Sequence, residues 1–540
     1  MNFMERLHSM INDSKKTTEN GAAGYATTGK ALVDLNFAAA SLRSMTEEEM
    51  IRKFIPAFYE DRILAMKWLF FLRDARGGLG ERRTFRVIFR YLAESNPEMA
   101  GGLIDLMAEY GRYDDLLCLF DTPLEDAALT VIKEQLGQDL INMERASAVG
   151  RCGNDISMSR DIPEEMSGAD STNVSLCAKW MPGNNTSSPE SRRNAAKLQH
   201  FMGMTAREYR KMLSSLRAYL DVTEVHMSSN QWEEIDYTRV ASRANIIYRN
   251  AFLAHDPARR KDFLKKVQDN QAVIHAGVLM PHEIAARYTV CSGWRMSVGA
   301  EDAALEALWK HLPGMAADAG NVLCVVDGSG SMLCPVGDGN VTALHVSNAL
   351  GIYFAERMVG AYHDRFLTFS ASPKYVDLSG CRSLREKLEL ALANNDCSNT
   401  NLEATFELIL QTAVRNHLKQ WELPGTVLVI SDMEFDRAVA GGHTETLFET
   451  IRRRFAAYGY RMPKLVFWNV NSRTNVIPVR ENELGVGLVS GFSVNVCNMV
   501  LSNELDPFAC LKKVLDSERY RKVDFAGVEV SGSAEAEGLP

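Results

Sequence analysis

The sequence predicts an α plus α/β protein, in which an α-helical repeat half precedes a doubly wound α/β half. Across residues 46–319, apolar residues recur at three- and four-residue spacing, the period of helices that bury one face. From Asn321 the pattern changes to short apolar runs alternating with amphipathic stretches, which specifies a mostly parallel sheet covered on both faces. Oxygen-bearing side chains gather at the ends of those runs, where such folds bind ligands.

Taken in order, residues 1–45 are polar and rich in Thr, Gly and Ala, and they read as a mobile arm or extended strap. Three helical stretches follow. Ile63, Met66 and Phe70 mark the first, Phe85, Ile88, Phe89 and Leu92 the second, and Leu103, Leu106, Met107 and Tyr110 the third. Breaks at Gly77-Gly78, Asn96-Pro97 and Gly111 are short, so the expectation is antiparallel helix pairs stacked as in a solenoid, although no strict period repeats. Residues 145–186 are poor in large apolar side chains and rich in Ser, Asn, Gly and Asp, the composition of an exposed insertion. Helical patterning returns at 206–220, 237–253 and 302–311, and the helical domain is placed at 46–319.

Beyond it, strands are expected at 322–326, 366–369, 375–378, 427–430 and 465–470. Helices are expected at 345–359, 383–393, 402–417 and 444–458. These elements place an α/β domain at 320–500, with residues 501–540 forming a C-terminal helix and a disordered tail.

Composition narrows the classes of function. A chain of 540 residues with 46% apolar and 24% charged content builds several globular domains. No stretch approaches the roughly 18 continuous apolar residues of a membrane helix, and residues 1–16 lack a signal-peptide core, so a soluble cytoplasmic protein is expected, with no membrane partner. Ten cysteines without a C-x-x-C pair read as reduced thiols. His282-Glu283 lacks the second His of a zinc helix and is read as structural. The net charge of −9 does not announce nucleic acid, but residues 73–90 hold six Arg against two acids, and residues 258–266 are also basic.

Three loops carry the chemistry. The first strand runs into Asp327-Gly328-Ser329-Gly330-Ser331, a D-x-S-x-S whose alternate side chains can turn toward one point. The second loop is Ser398-Asn399-Thr400-Asn401, before the helix at 402, and the third is Ser431-Asp432, at the end of the strand 427–430. A carboxylate and hydroxyls are hard oxygen donors, which suit Mg²⁺ (or Mn²⁺) over Zn²⁺. The expected metal ligands are Asp327, Ser329, Ser331, Thr400 and Asp432, with Ser398 the competitor of Thr400 and with Asp396 and Asp436 close enough in sequence to support them.

These residues match, one by one, the metal-ion-dependent adhesion site (MIDAS) of the von Willebrand A family. The resemblance implies a Rossmann-like von Willebrand A domain holding magnesium, with an open coordination position that a partner protein's carboxylate completes. The helical half resembles a HEAT-like, TROVE-like module that bacterial, phage and plant proteins of unassigned function join to a von Willebrand A domain. The stretches that carry this resemblance are residues 68–89 (WLFFLRDARGGLGERRTFRVIF), 178–182 (AKWMP), 209–221 (YRKMLSSLRAYLD) and 279–284 (LMPHEI). More distantly the chain is similar to the Ro ribonucleoprotein autoantigen. That likeness implies RNA binding: a helical ring or clamp that holds single-stranded or misfolded RNA, with small structured RNA as a further ligand.

Arg76, Arg82 and Arg83 around the Gly77–Gly80 turn are the candidate RNA-binding residues, because glycines allow close backbone approach and a helix N-terminus attracts phosphate. Lys179, Arg192 and Arg193 flank the polar insertion and are expected to line the same groove. The opposing reading is that the glycines merely turn two helices while Arg82 and Arg86 pair with acids such as Asp74 and Glu81. Trp68, Phe70, Phe71, Phe85 and Phe89 stand at core spacing and are not expected to stack bases. Two functions compete. One is a Ro-like RNA-binding protein whose cation domain closes the ring or recruits partners. The other is an RNA-independent adaptor that captures an acidic residue of a partner, such as an ATP-driven remodelling protein, through the cation. No nucleophile–base pair stands at motif spacing, so an enzyme is not expected.

Overall fold

The computed structural model describes residues 15–18, 23–153, 174–292, 295–314, 321–337, 339–370, 372–395, 402–434, 447–474, 476–477, 486–493 and 506–524. Contacts group the chain into two compact units: residues 1–84 with 237–521, and residues 85–236 with 522–540. Compactness thus groups the chain differently from the change of sequence pattern at 319/320.

The first unit is built on six strands: β1 (Val322–Asp327), β2 (Arg365–Phe369), β3 (Tyr375–Asp377), β4 (Thr426–Ser431), β5 (Lys464–Asn469) and β6 (Val486–Ser490). Their order is β6-β5-β4-β1-β2-β3. Every pairing is parallel except β2 with β3. The strands are apolar on both faces, as a sheet covered by helices requires. Helix Ala343–Ala355, buried along its whole length, links β1 to β2. It packs so closely that a Cβ on Gly351 would lie 2.3 Å from Val326 Cγ2. From β2 the chain reaches the antiparallel edge strand β3, then returns to the other side of β1 as β4. The strand order therefore reverses between β1 and β4, and the carboxyl ends of those two strands form the crevice where doubly wound sheets take ligands.

The first unit also contains the helices Ala31–Phe37, Ala39–Leu42, Glu47–Glu60 and Arg62–Arg73. Residues 31–42 are not the expected mobile arm. Leu32, Val33, Leu35, Phe37 and Leu42 are buried, and Val33 and Phe37 belong to the core that the sheet builds. Asn469 Nδ2 donates to the Phe37 carbonyl at 2.7 Å, and Ala40 N donates to Ser490 Oγ at 3.0 Å. The polar average of residues 1–45 hid a short apolar run that covers β6. β6 itself was not expected, because Gly487 interrupts its apolar run; a Cβ there would lie 3.3 Å from Val466.

The second unit is helical. Helix Arg83–Ser95 enters it and buries Phe85, Ile88, Phe89 and Leu92, the spacing expected. Lengths then diverge from the expected pairs. Pro97–Gly101 and Leu106–Tyr110 are five-residue helices, whereas Glu125–Gly153 runs for 29 residues. Of the expected insertion at 145–186, residues 145–153 continue that long helix, Cys177–Trp180 is a short one, and residues 154–173 lie outside the described residues. No helix among the described residues is long and apolar enough to cross a membrane.

Candidate metal centre

β1 ends on Asp327, which is fully buried beneath the loop it begins. Asp327 Oδ1 accepts from Ser329 N at 2.9 Å, which folds the D-x-S turn back on its own carboxylate. The two serine hydroxyls lie 2.9 Å apart. Asp327, Ser329 and Ser331 are therefore joined in one hydrogen-bonded set, and Asp432 follows directly on β4 across the crevice. Gly328 is required by close approach, since a Cβ there would sit 2.4 Å from Asn395 Oδ1. Thr400, Ser398, Asp396 and Asp436 lie outside the described residues.

Four further residues complete the surroundings. Ser431 Oγ donates to Asp327 Oδ2 at 2.6 Å, tying β4 to β1. Ser347 Oγ, on the buried helix, donates to the Asp327 carbonyl at 3.0 Å. Glu434 is fully buried and accepts from the backbone N–H of Arg473 and of Thr474, each at 3.0 Å. Arg473 NH2 lies 3.6 Å from Asp432 Oδ2. Ser431 adjoins the predicted Asp432 and could have been found by position. Glu434 and Arg473 meet across 39 residues, and no local pattern announces them.

The electrostatics fit a cation. Burial, then the neighbouring Asp432 carboxylate, pushes Asp327 well above the usual carboxylate range. Burial also raises Asp432, although the Ser331 hydroxyl and Arg473 work against it. Among the described residues Asp432 Oδ2 has no hydrogen-bond donor. A buried carboxylate oxygen without a donor is costly, and a bound cation is one means of satisfying it. Among the described residues no group of three or more His, Cys, Asp or Glu side chains gathers to hold a metal, so this centre would rest on two carboxylates and hydroxyl oxygens. Such all-oxygen donors suit Mg²⁺ or Mn²⁺. His282 is buried against Phe492, in keeping with a structural role.

The candidate RNA-binding residues fall into two groups. In the first unit Arg76, Arg82 and Arg83 are exposed, while both neighbouring acids turn inward. Asp74 accepts from Arg519 NH2 at 2.7 Å and from Tyr520 at 3.0 Å, and Glu81 accepts from Arg43 at 2.6 Å. Arg86 does not take these acids but pairs with Asp114 and Asp115. The glycines serve the turn, since a Cβ on Gly78 would meet the Phe71 carbonyl at 1.9 Å and Gly80 has φ +72°. Arg83 NH1 donates to the carbonyls of Arg43 and Met45 at 3.2 and 3.0 Å. In the second unit Lys179 pairs with Glu224 at 3.6 Å, Arg192 donates to the carbonyls of Thr186 and Ser187, and Arg193 is exposed.

Residues 124–321 match a family model described as a domain of unknown function (DUF2828), and residues 321–522 match another (DUF7788). An uncharacterized protein of Acanthamoeba polyphaga mimivirus is 30% identical over 527 residues, which span 92% of this chain and 87% of that protein. The chain belongs to that protein's family. The candidate centre, from Asp327 to Arg473, lies wholly within the DUF7788 match. The crystal structure of the Deinococcus radiodurans RO (RSR) protein aligns with 87% of this chain and 92% of its own, at 13% identity and a TM-score of 0.37.

Proposed function

We propose that this chain is a divalent-cation-dependent adaptor. Asp327, Ser329, Ser331 and Asp432, with Thr400, would hold Mg²⁺ (or Mn²⁺), and a carboxylate of a partner protein would complete the coordination, as the von Willebrand A resemblance implies. The observation that supports this reading is the pair of carboxylates buried together at the strand-order reversal, with one oxygen of Asp432 lacking a donor among the described residues. The bound ion would supply positive charge to an acidic ligand. Ser431 and Ser347 would hold Asp327 in place. The role is binding rather than catalysis, because both carboxylates serve the ion.

Calorimetric titration of Mg²⁺ and Mn²⁺ tests the proposal. The full chain is expected to bind one ion, and Asp327→Ala is expected to abolish binding while far-UV circular dichroism stays unchanged. Undiminished binding by folded Asp327→Ala protein refutes the assignment.

A second reading, RNA binding of the Ro type, is favoured by one observation: Asp74 and Glu81 are buried and paired while Arg76, Arg82 and Arg83 are exposed. If these arginines contact phosphates, affinity for single-stranded RNA falls with salt at a slope of about −0.7 per contact. Replacing Arg82 and Arg83 with Gln then reduces the slope by about one to one and a half and weakens all sequences alike, because phosphate contacts carry no base information. Filter binding across salt concentrations reads both quantities. Affinity no tighter than about 10⁻⁴ to 10⁻⁶ M, the non-specific range, removes this reading.

A further inference from the structure

We propose that Arg473 is a built-in counter-ion that competes with the divalent cation for Asp432; the inference rests on the cation reading above and adds regulation to it. The turn after β5 is fixed from two sides. Asn469 Oδ1 accepts from the N–H groups of Asn471 and Ser472 at 3.0 and 2.8 Å. Buried Glu434 accepts from Arg473 N, Thr474 N and, at 2.9 Å, the Thr474 hydroxyl. The backbone of Arg473 is thereby pinned beside the loop that follows β4, two residues from Asp432.

From that anchor the guanidinium spans the two loops that carry the candidate ligands. NH2 lies 3.6 Å from Asp432 Oδ2, and NH1 donates to Cys334 Sγ at 3.4 Å, three residues beyond Ser331. At 3.6 Å the contact with Asp432 is a charge interaction and not a hydrogen bond, so it holds the carboxylate weakly. The side chain is 30% exposed and has solvent to move into. This arrangement gives the acidic pair a positive charge when no ion is bound. The cation must displace that charge from Asp432 Oδ2, while the Glu434 and Asn469 bonds keep the backbone in place. Arg473 thus raises the ion concentration at which the centre loads.

Mn²⁺ binding to the full chain, measured by calorimetry and by the electron paramagnetic resonance signal of free Mn²⁺, tests the inference in wild type, Arg473→Gln and Arg473→Lys. A unit charge about 5 Å from a divalent ion, in water-like surroundings, corresponds to about a tenfold change in affinity. Arg473→Gln is therefore expected to bind Mn²⁺ about tenfold tighter, and Arg473→Lys, which keeps the charge, to return toward wild type. The gain should shrink as ionic strength rises, since the competing charge is partly exposed. Wild-type binding together with Arg473→Gln binding that is equal or weaker overturns the competition and leaves the cation centre standing. Absence of Mn²⁺ binding in both proteins removes the cation reading and this inference with it.

Discussion

Replacing Gly351 with Ala tests whether the fit of the buried helix against β1 is a structural requirement. The added methyl would sit 2.3 Å from Val326 Cγ2, whereas carbon atoms rest at about 3.5 to 4.0 Å, so helix or strand must move by more than about 1 Å. Val326 cannot easily yield: it is β-branched, fully buried, and paired to Thr368 on one side and Ile430 on the other. Overpacking of this kind costs about 1 to 3 kcal/mol, against which the better helix propensity of Ala returns at most about 1 kcal/mol. With a displacement this large placing the cost in the upper part of that range, a net loss of about 1 to 2 kcal/mol is expected in urea denaturation. Val326→Ala in the same chain should relieve the clash, so that the double variant is less destabilised than the sum of the two single variants. The displacement should also reach the candidate centre, because Ser347, one turn earlier on the helix, holds the Asp327 carbonyl. A Gly351→Ala protein as stable as wild type, or more so, would refute the close packing.

Two further predictions concern buried charge. Asp74 is buried, which pushes its carboxyl up, but Arg519 and the N–H groups of Arg76 and Gly77 outweigh burial and hold it below the usual carboxylate range. A lowered carboxyl contributes stability that is present above its unfolded value and lost as pH falls through the folded one. Asp74→Asn is therefore expected to cost about 1 to 3 kcal/mol at pH 7, discounted for the partial exposure of Arg519, with the difference narrowing below about pH 4 in urea melts. A gap that does not vary with pH would show that the carboxylate charge is not what matters. Arg260 is fully buried, its three guanidinium nitrogens have no hydrogen-bond partner among the described residues, and burial lowers it to about 10. It lies 5.0 to 5.3 Å from the ring centroids of Tyr237, Phe252 and Phe263. Cation–π attraction of about 2 kcal/mol does not offset a desolvation cost of several, so Arg260→Met should raise stability by about 1 to 3 kcal/mol. A thermal melt showing the Met protein clearly less stable would sink that balance.

The parts of the molecule that the sequence disclosed share one property: each is written within a few neighbouring residues. Strand β1 was readable because five apolar residues run straight into Asp327, and β4 because the same pattern ends on Ser431-Asp432. The four described donors fall together because parallel pairing in register brings those two strand ends side by side, with Val326 opposite Ile430. Composition averaged over a window misled wherever a short apolar run was diluted, as in residues 31–42, or where one residue broke it, as Gly487 does in β6. Charge runs misled in another way. Residues 258–266 read as a basic face, yet Arg260 turns inward among three aromatic rings while Arg259 pairs with Asp256. Around Gly77–Gly80 the arginines were counted correctly, but the acids among them are neutralised by Arg43 and Arg519, the latter 445 residues away.

Pairings across such distances are decided by topology, and they also determine what the candidate centre can do. On the proposed reading, Asp327, Ser329, Ser331 and Asp432 would select the ion, and Glu434 and Arg473, invisible as a motif, would set how readily it enters. A D-x-S-x-S loop on an equivalent strand but without a cation at the position of Arg473 should therefore load at lower ion concentration, and the Arg473→Gln titration makes that comparison within a single chain.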